Sequence, residues 1–168
     1  MKLAKIILDK ILPAETVYAH CDIPCGIYDP HLAQMAAHTV IRMVNLISEL
    51  PRLKSDAPQE EREQLVHKLS RYTATKENHA ELCKHEIRII WGDYFKPEHL
   101  QQHPELHELV WKIMKLASKA RQEMNLQASE ELLASVNKFA EIFWKTKGAE
   151  PVKRKSFYPT EREIVVPK

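Results

Sequence analysis

Asp29-Pro30-His31-Leu32-Ala33-Gln34-Met35-Ala36-Ala37-His38-Thr39-Val40-Ile41-Arg42-Met43-Val44-Asn45-Leu46-Ile47 is the stretch that decides the fold class. An aspartate followed by proline is a helix start. The carboxylate can accept from a free backbone N–H of the first turn, and proline at the first helical position gives up no hydrogen bond. Leu32, Met35, Ala36, Val40, Met43, Leu46, Ile47 and Leu50 then recur at spacings of three and four, so the spacing predicts an amphipathic helix. Pro51 and Lys54-Ser55-Asp56-Ala57-Pro58 close it.

Downstream the same pattern recurs three times. A long segment from about Pro58 to Tyr94 carries Leu65, Leu69, Tyr72, Leu82, Cys83, Ile87, Ile90 and Trp91, with a polar interruption between Thr73 and His79. A third segment follows Pro104, with Leu106, Leu109, Val110, Ile113, Leu116 and Ala117 in register. A fourth begins near Ser129, with Leu132, Leu133, Val136, Phe139, Ala140 and Phe143 inward. Short polar connectors make these antiparallel neighbours, and the fold class read here is all-α, an up-and-down four-helix bundle. No strand pattern stands out within it. Residues 148–168 read as a surface tail, disordered or draped on the bundle, with Lys153-Arg154-Lys155 and one short apolar run, Ile164-Val165-Val166.

The bulk properties narrow the function classes. A chain of 168 residues suits one domain with a real core. Its 25 basic residues against 23 acidic ones give no argument for nucleic acid or a membrane surface. No apolar run approaches a membrane span. Three cysteines make no disulfide framework, and Cys83, inside a helical pattern, reads as a small core residue.

Upstream of the first helix the chain is chemically dense. His20-Cys21-Asp22-Ile23-Pro24-Cys25-Gly26-Ile27-Tyr28 packs an imidazole, two thiols, a turn proline and a phenol into one loop. Residues 1–19 before it differ in character. Leu3, Ile6, Ile7, Ile11 and Leu12 fall at helical spacing between lysines, and Val17-Tyr18-Ala19 suits a peptidase cut. Lys5, Asp9 and Lys10 interrupt what would be a signal core, so a removable leader that is not a secretion signal is expected, and with it a cytoplasmic location. A cut after Ala19 makes His20 the N-terminus. Its amine and the Cys21 amide nitrogen are two carbons apart, as are that amide nitrogen and the Cys21 sulfur, so each pair closes a five-membered chelate ring. Cys25 folding back across Ile23-Pro24 completes a planar N2S2 set, a geometry suited to Ni(II) or Cu(II) rather than tetrahedral zinc. The His20 imidazole remains for an axial position. The amine must be neutral to bind, and its reference pKa of about 7.7–8.0 allows that near neutral pH. Two thiolates and a deprotonated amide place negative charge on the metal and stabilise its higher oxidation state.

This loop, continuing into Asp29-Pro30, resembles the nickel hook of the nickel superoxide dismutase family. Trp91-Gly92-Asp93-Tyr94-Phe95-Lys96-Pro97 resembles the family's internal motif, and Pro104-Glu105-Leu106-His107 and Ile142-Phe143-Trp144-Lys145-Thr146-Lys147 also match. The resemblance covers roughly residues 20–147. It implies a four-helix bundle assembled as a homohexamer, with a leader of residues 1–19 removed by a processing protease. It implies superoxide as substrate and its conversion to O2 and hydrogen peroxide by Ni(II)/Ni(III) cycling. The implied ligands of one nickel ion per subunit are His20, Cys21 and Cys25. Asp22 would help fix the hook, Pro24 would shape its turn, and Tyr28 and Tyr94 would line the approach to the open axial face. Asp93 and Lys96 would support the hook or a subunit contact.

One departure from the family pattern is expected to matter. Well-studied members orient the axial imidazole with a Glu on the first helix and an Arg on the second. Counted without gaps, those positions hold Ala36 and His79, so a different partner for the imidazole is expected, with His79 or water as candidates. The remaining histidines read as solvated or satisfied in the core. Two rival functions stand beside the enzyme: a nickel carrier or storage bundle without turnover, and an oligomeric bundle whose loop cysteines form only a disulfide.

Overall fold

The computed structural model describes residues 26–168. Residues 1–19, and with them His20, Cys21, Asp22, Pro24 and Cys25, lie outside the described residues. Among the described residues there are five α-helices: α1 (His31–Ser48), α2 (Gln59–Ile89), the short α3 (Pro97–Gln102), α4 (Leu106–Gln122) and α5 (Leu126–Thr146). A π-helical turn, Ile90–Tyr94, continues α2. The long helices close a ring in which α1 packs on α2 and α5, and α4 packs on the same two, so the four-helix bundle expected from the sequence is present.

Local chemistry explains most boundaries. The Asp29 carboxylate accepts from the His31 N–H at 2.7 Å, with Pro30 between them, which is the start that the sequence suggests. α5 begins at Leu126 rather than near Ser129, because Asn125 is its cap and accepts from the Ala128 N–H at 2.9 Å. It ends where Gly148, at φ +76°, turns the chain out of the helix. The Gly148 N–H bonds the Lys145 carbonyl and the Ala149 N–H bonds the Trp144 carbonyl, both at 2.9 Å, a paired closure that a left-handed glycine permits.

The inner face of α1 differs from the expected stripe by a rotation of about one residue. Ala33, Ala37, Val40, Ile41 and Val44 are buried, whereas Leu32 and Met35 are exposed. The small alanines allow close approach of α2, and the larger side chains remain outside that seam. The polar interruption of α2 also has a cause. Lys76 is buried, and its ammonium donates to the carbonyls of Ala120, Arg121 and Glu123 at 3.0, 3.0 and 2.7 Å. It closes the C-terminus of α4, where free carbonyls and the helix dipole favour a cation. Burial lowers its pKa from the ordinary lysine value. By contrast, the first third of α2 stands clear of the core, with Val66 and Leu69 exposed.

Residues 151–168, read from the sequence as a tail, contain an antiparallel hairpin: β1 (Pro151–Lys155) and β2 (Glu163–Pro167), with Lys153 opposite Val165. It lies on α1 and α5, and Val165 is buried there. Gln34, fully buried on α1, acts as a substitute strand. Its Nε2 donates to the Val165 carbonyl at 3.0 Å and its Oε1 accepts from the Val165 N–H at 2.6 Å. Asn137 on α5 donates to the Glu163 carbonyl at 2.9 Å, and Lys153 pairs with Glu141 at 2.9 Å. The connecting loop is closed by the Ser156 N–H on the Arg162 carbonyl, by a bond between His38 and the Thr160 hydroxyl at 2.6 Å, and by an Arg162–Glu130 ion pair.

Candidate metal centre

The sequence blocks that carry the resemblance meet at one end of the bundle. Tyr28, at the entry to α1, lies against Tyr94, at the end of the π-helical turn, with ring centroids 5.6 Å apart. The turn is closed by the Phe95 N–H on the Ile90 carbonyl at 3.4 Å, five residues back instead of four. Such an insertion re-aims the side chains that follow it, and it recurs at functional sites. The sequence reading carried this stretch on as ordinary helix.

Tyr94 is held on every side. Its ring touches Phe143 at 4.8 Å and Phe95 at 5.1 Å, and it stacks on the His99 imidazole at 5.5 Å and 19°. The Lys147 ammonium lies 4.6 Å from the ring centroid, within cation–π range. Its hydroxyl bonds the Thr146 hydroxyl at 2.9 Å, and Thr146 in turn donates to the Phe143 carbonyl at 2.7 Å. A threonine has one hydroxyl proton, so Tyr94 is the donor in the first bond and its own oxygen stays free to accept. The third block joins by another route: the Trp91 indole N–H donates to His107 Nδ1 at 3.0 Å, which ties the π-helical turn to α4. That bond and the Lys96 N–H donated to His99 Nδ1 at 3.2 Å place the proton of both neutral imidazoles on Nε2.

Two cavities flank Tyr28. One, of about 420 Å³, is lined by Gly26, Tyr28, Asp93, Tyr94, Lys96 and Lys147 among others. Asp93 and Lys96 therefore line the same cavity as the tyrosines. The other, of about 370 Å³, lies between the start of α1 and the end of α2, with Tyr28, Leu32, Met35, Ile89 and Glu86 in its wall. Glu86 is only 6% exposed. Both its carboxylate and the Lys147 ammonium went unnoticed in the sequence. Lys147 stood in a quoted block, but Glu86 sat in a helical stretch where its polar neighbours marked a solvated face.

The two positions that depart from the family pattern also have a structural reading. Ala36 is buried in the core and brings no polar group. His79 uses Nδ1 to donate to the Thr75 carbonyl of its own helix at 2.9 Å. Cys83 is fully buried, and its thiol is pushed up to about 12 by burial first and by the Glu86 charge second. No cluster of three or more His, Cys, Asp or Glu side chains placed to hold a metal occurs among the described residues. Among the described residues, the frame at this end consists of two tyrosines, a cationic rim and, in the wall of the second cavity, the Glu86 carboxylate. That frame suits a loop bearing thiolates and an imidazole.

Comparison with known proteins follows the same blocks. The family described as nickel-containing superoxide dismutase matches residues 15–147. Superoxide dismutase [Ni] of Streptomyces coelicolor is 37% identical over 137 residues, spanning 82% of this chain and 95% of that protein. The protein of the same name from Streptomyces seoulensis matches with the same identity and coverage. A native nickel superoxide dismutase structure superposes with a TM-score of 0.64 at 36% identity, covering 76% of this chain and 99% of that one. A structure with nickel ligation of the oxidised state gives 0.65 at 35%, covering 77% of this chain and all of that one. With identity of this extent, and with each motif block meeting its neighbours around Tyr28 and Tyr94, the chain belongs to the nickel-containing superoxide dismutase family.

Proposed function

We propose that the mature enzyme begins at His20 after a cut behind Ala19, and that His20, Cys21 and Cys25 hold one nickel ion per subunit. The observation that carries this reading is the convergence of the separated motif blocks on Tyr94 and on Tyr28, which stands just after the Cys21–Cys25 loop in the chain. The bound metal would supply a one-electron couple. Two superoxide ions and two protons then give O2 and hydrogen peroxide.

The chain's own residues govern access and protons. Tyr28 and Tyr94 narrow the way in. Lys96 and Lys147 line the cavity beside them, and a cationic mouth raises the local concentration of a small anion. The Tyr94 oxygen, with its proton committed to Thr146, accepts from a donor such as water, while the His99 Nε2–H remains a donor on the same ring stack. Asp22 would steady the loop from within. Tyr28, Tyr94 and Asp22 are thus proposed to tune the reaction around the metal instead of binding it.

The assembly is proposed to be a homohexamer. Support comes from exposed apolar side chains, namely Val66, Leu69, Trp111 and Met124. A leader-processing protease is the implied partner, and residues 1–19, 20–147 and 148–168 are proposed as leader, catalytic bundle and appended hairpin. The cytoplasm is the proposed compartment, from the broken apolar core of the leader and the need for reduced thiols. Among the described residues no helix is long and apolar enough to cross a membrane.

Intact mass and metal analysis of protein co-expressed with its protease test the reading. The expected result is a mass starting at His20, about one nickel per chain and catalytic loss of superoxide. Nickel without turnover would favour a carrier. A full-length mass without nickel, in protein exposed to both protease and metal, would remove the central ligand.

A further inference from the structure

Phe157 is fully exposed, yet the loop that carries it is pinned on both sides. Ser156 before it is buried and donates to the Arg162 carbonyl from its N–H at 3.0 Å and its hydroxyl at 2.7 Å. The Glu161 N–H closes on the Tyr158 carbonyl at 2.9 Å, and the Tyr158 ring meets the His38 imidazole in a T-shape at 4.9 Å. A large apolar side chain held out on a fixed loop is pre-organised as an anchor for a partner. The next two residues, Tyr158 and Pro159, wall an apolar groove that runs along α1. Leu32, Met35, Thr39 and Met43 stand three and four residues apart, so they share one face of that helix. Met35 is common to two cavities on this face. One, of about 280 Å³, lies at Thr39, Arg42 and Met43; the other, of about 370 Å³, lies at Ile27, Leu32 and Ile89. Ile27, Leu32 and Met35 are exposed. The charges stand at opposite ends of the groove, with Arg42 in the first cavity and Asp29 and Glu86 in the second.

We infer that a second copy of this chain covers the groove across a twofold axis at Met35, with Phe157 of each copy seated in the other's cavity at Leu32 and Ile89. Anchor and groove lie on one face, which is what a self-complementary twofold contact requires. Antiparallel helices crossing at Met35 set Leu32 opposite Thr39 and Arg42 opposite Asp29. The cationic end of each groove then meets the anionic end of the other. The two Arg42 side chains stay roughly 20 Å apart along the helices, a separation at which salt screens their repulsion. Phe157 starts from the Arg42 half of its own groove, so across the axis it faces the Leu32 half of the other copy. A cavity of about 150 Å³ is enough to hold benzene, so the Leu32 cavity has room for the phenyl ring. Phe157 lies beyond the matched residues 15–147, so the contact uses a surface added to the family's bundle. The inference names one contact of the self-association proposed above and rests on that proposal. The rival occupant is the segment of this chain before Gly26, which leads into Ile27.

Sedimentation equilibrium of the full-length chain compares the parent with Phe157→Ser, Phe157→Leu, Leu32→Asp and Arg42→Gln. The parent should form an even-numbered assembly, and a hexamer of dihedral symmetry should fall to half its mass when a twofold contact is lost. Phe157→Ser and Leu32→Asp should each weaken that step by about 30-fold or more, and Phe157→Leu by less. An equimolar mixture of Phe157→Ser and Leu32→Asp should associate more tightly than either alone, because one intact anchor then meets one intact cavity. Arg42→Gln should weaken the step by up to about 5-fold and flatten its salt dependence. The urea midpoint of Phe157→Ser, measured where variant and parent are both dissociated, should equal the parental one, since the ring is fully exposed on its own chain. Parental association in Phe157→Ser would overturn the inference. Weakening in Leu32→Asp alone would do the same and give the groove to another occupant, such as the segment before Gly26. A monomeric parent would overturn the proposed self-association and this contact with it, whereas an assembly indifferent to both variants would overturn the contact alone.

Discussion

The end of the bundle at Tyr28 and Tyr94 and the side covered by the hairpin use the same two helices for opposite purposes. At the end, Tyr28 stands at the entry to α1, and Phe143, Thr146 and Lys147 at the close of α5 hold Tyr94. Along the side, Gln34 and His38 of α1 and Asn137 and Glu141 of α5 spend their polar atoms on the hairpin. The family match ends at residue 147, so the second arrangement serves a segment beyond it. The solved relative is covered almost completely while about a quarter of this chain finds no counterpart in it. The same two helices thus carry both the contacts around Tyr94 and those that hold an addition in place. If so, substitutions should separate activity from stability according to the region they strike.

The largest expected effect falls on the loop before the first region. Cys21→Ser or Cys25→Ser should reduce bound nickel to near zero and dismutation to background. The metal-free fold should keep its stability to within about 0.5 kcal/mol, because nothing in the core changes. Metal analysis with urea unfolding checks both halves. A large fall in the midpoint would mean that the loop also holds the bundle together, and the two regions would not be separable.

Gln34→Ala should show the reverse. It strips a buried N–H and a buried carbonyl of Val165 of their partners, and each orphaned group costs about 1–3 kcal/mol, so a loss of about 3 kcal/mol is expected. The rate per bound nickel should stay at the parental value. An equal loss of rate would show that the hairpin reaches the site after all.

What could be read in the sequence follows the same division. The motif blocks are contiguous runs, so Tyr28, Tyr94, Asp93 and Lys96 could be named before their geometry was seen. The helices of the core were legible because burial repeats every three to four residues, and the stripe of α5 from Leu132 to Phe143 is buried residue for residue as expected. The hairpin was not. Its strands of five residues carry no alternation strong enough to stand out, and what docks it joins Gln34 to Val165 across 131 positions. No periodicity announces that a glutamine in an apolar stripe will imitate a strand. Lys76 was obscured for the same reason: a lysine that closes a distant helix reads, in its own segment, as a solvated break.

A smaller effect should come from pH, and only through the second region. His38 is buried between Thr160 and the Tyr158 ring, 4.9 Å away, with His31 and Arg162 adding positive potential. Loss of solvent is the leading cause that holds its pKa below 6.5; the Glu163 carbonyl opposes it but does not win. The unfolded chain, titrating near 6.5, then binds the proton more readily than the folded one. Stability from this site is therefore complete above that value and declines as pH falls below it toward the folded pKa. The urea midpoint should drop between pH 7 and pH 5, and the drop should be shallower in His38→Gln. Parallel curves for the two proteins would assign the acid sensitivity elsewhere.

Tyr94→Phe should give the smallest effect, and it tests the comparison most finely because it removes one oxygen from the first region. The ring remains, with its contacts to Phe143, Phe95 and His99, and Thr146 keeps its bond to the Phe143 carbonyl. Only the hydrogen bond donated to Thr146 is lost, worth about 1 kcal/mol of stability. The same oxygen is the acceptor proposed to face the cavity, and loss of one such contact in the transition state would lower kcat/KM by roughly 5-fold. Nickel content and the EPR spectrum should be unchanged, since Tyr94 holds no metal. If Tyr94→Phe and Gln34→Ala were each assayed at equal nickel loading, the first should lose rate with little stability and the second stability with no rate. An unaltered rate in Tyr94→Phe would make its hydroxyl a structural clasp on α5, and the tyrosine would then resemble the hairpin contacts more than the site it borders.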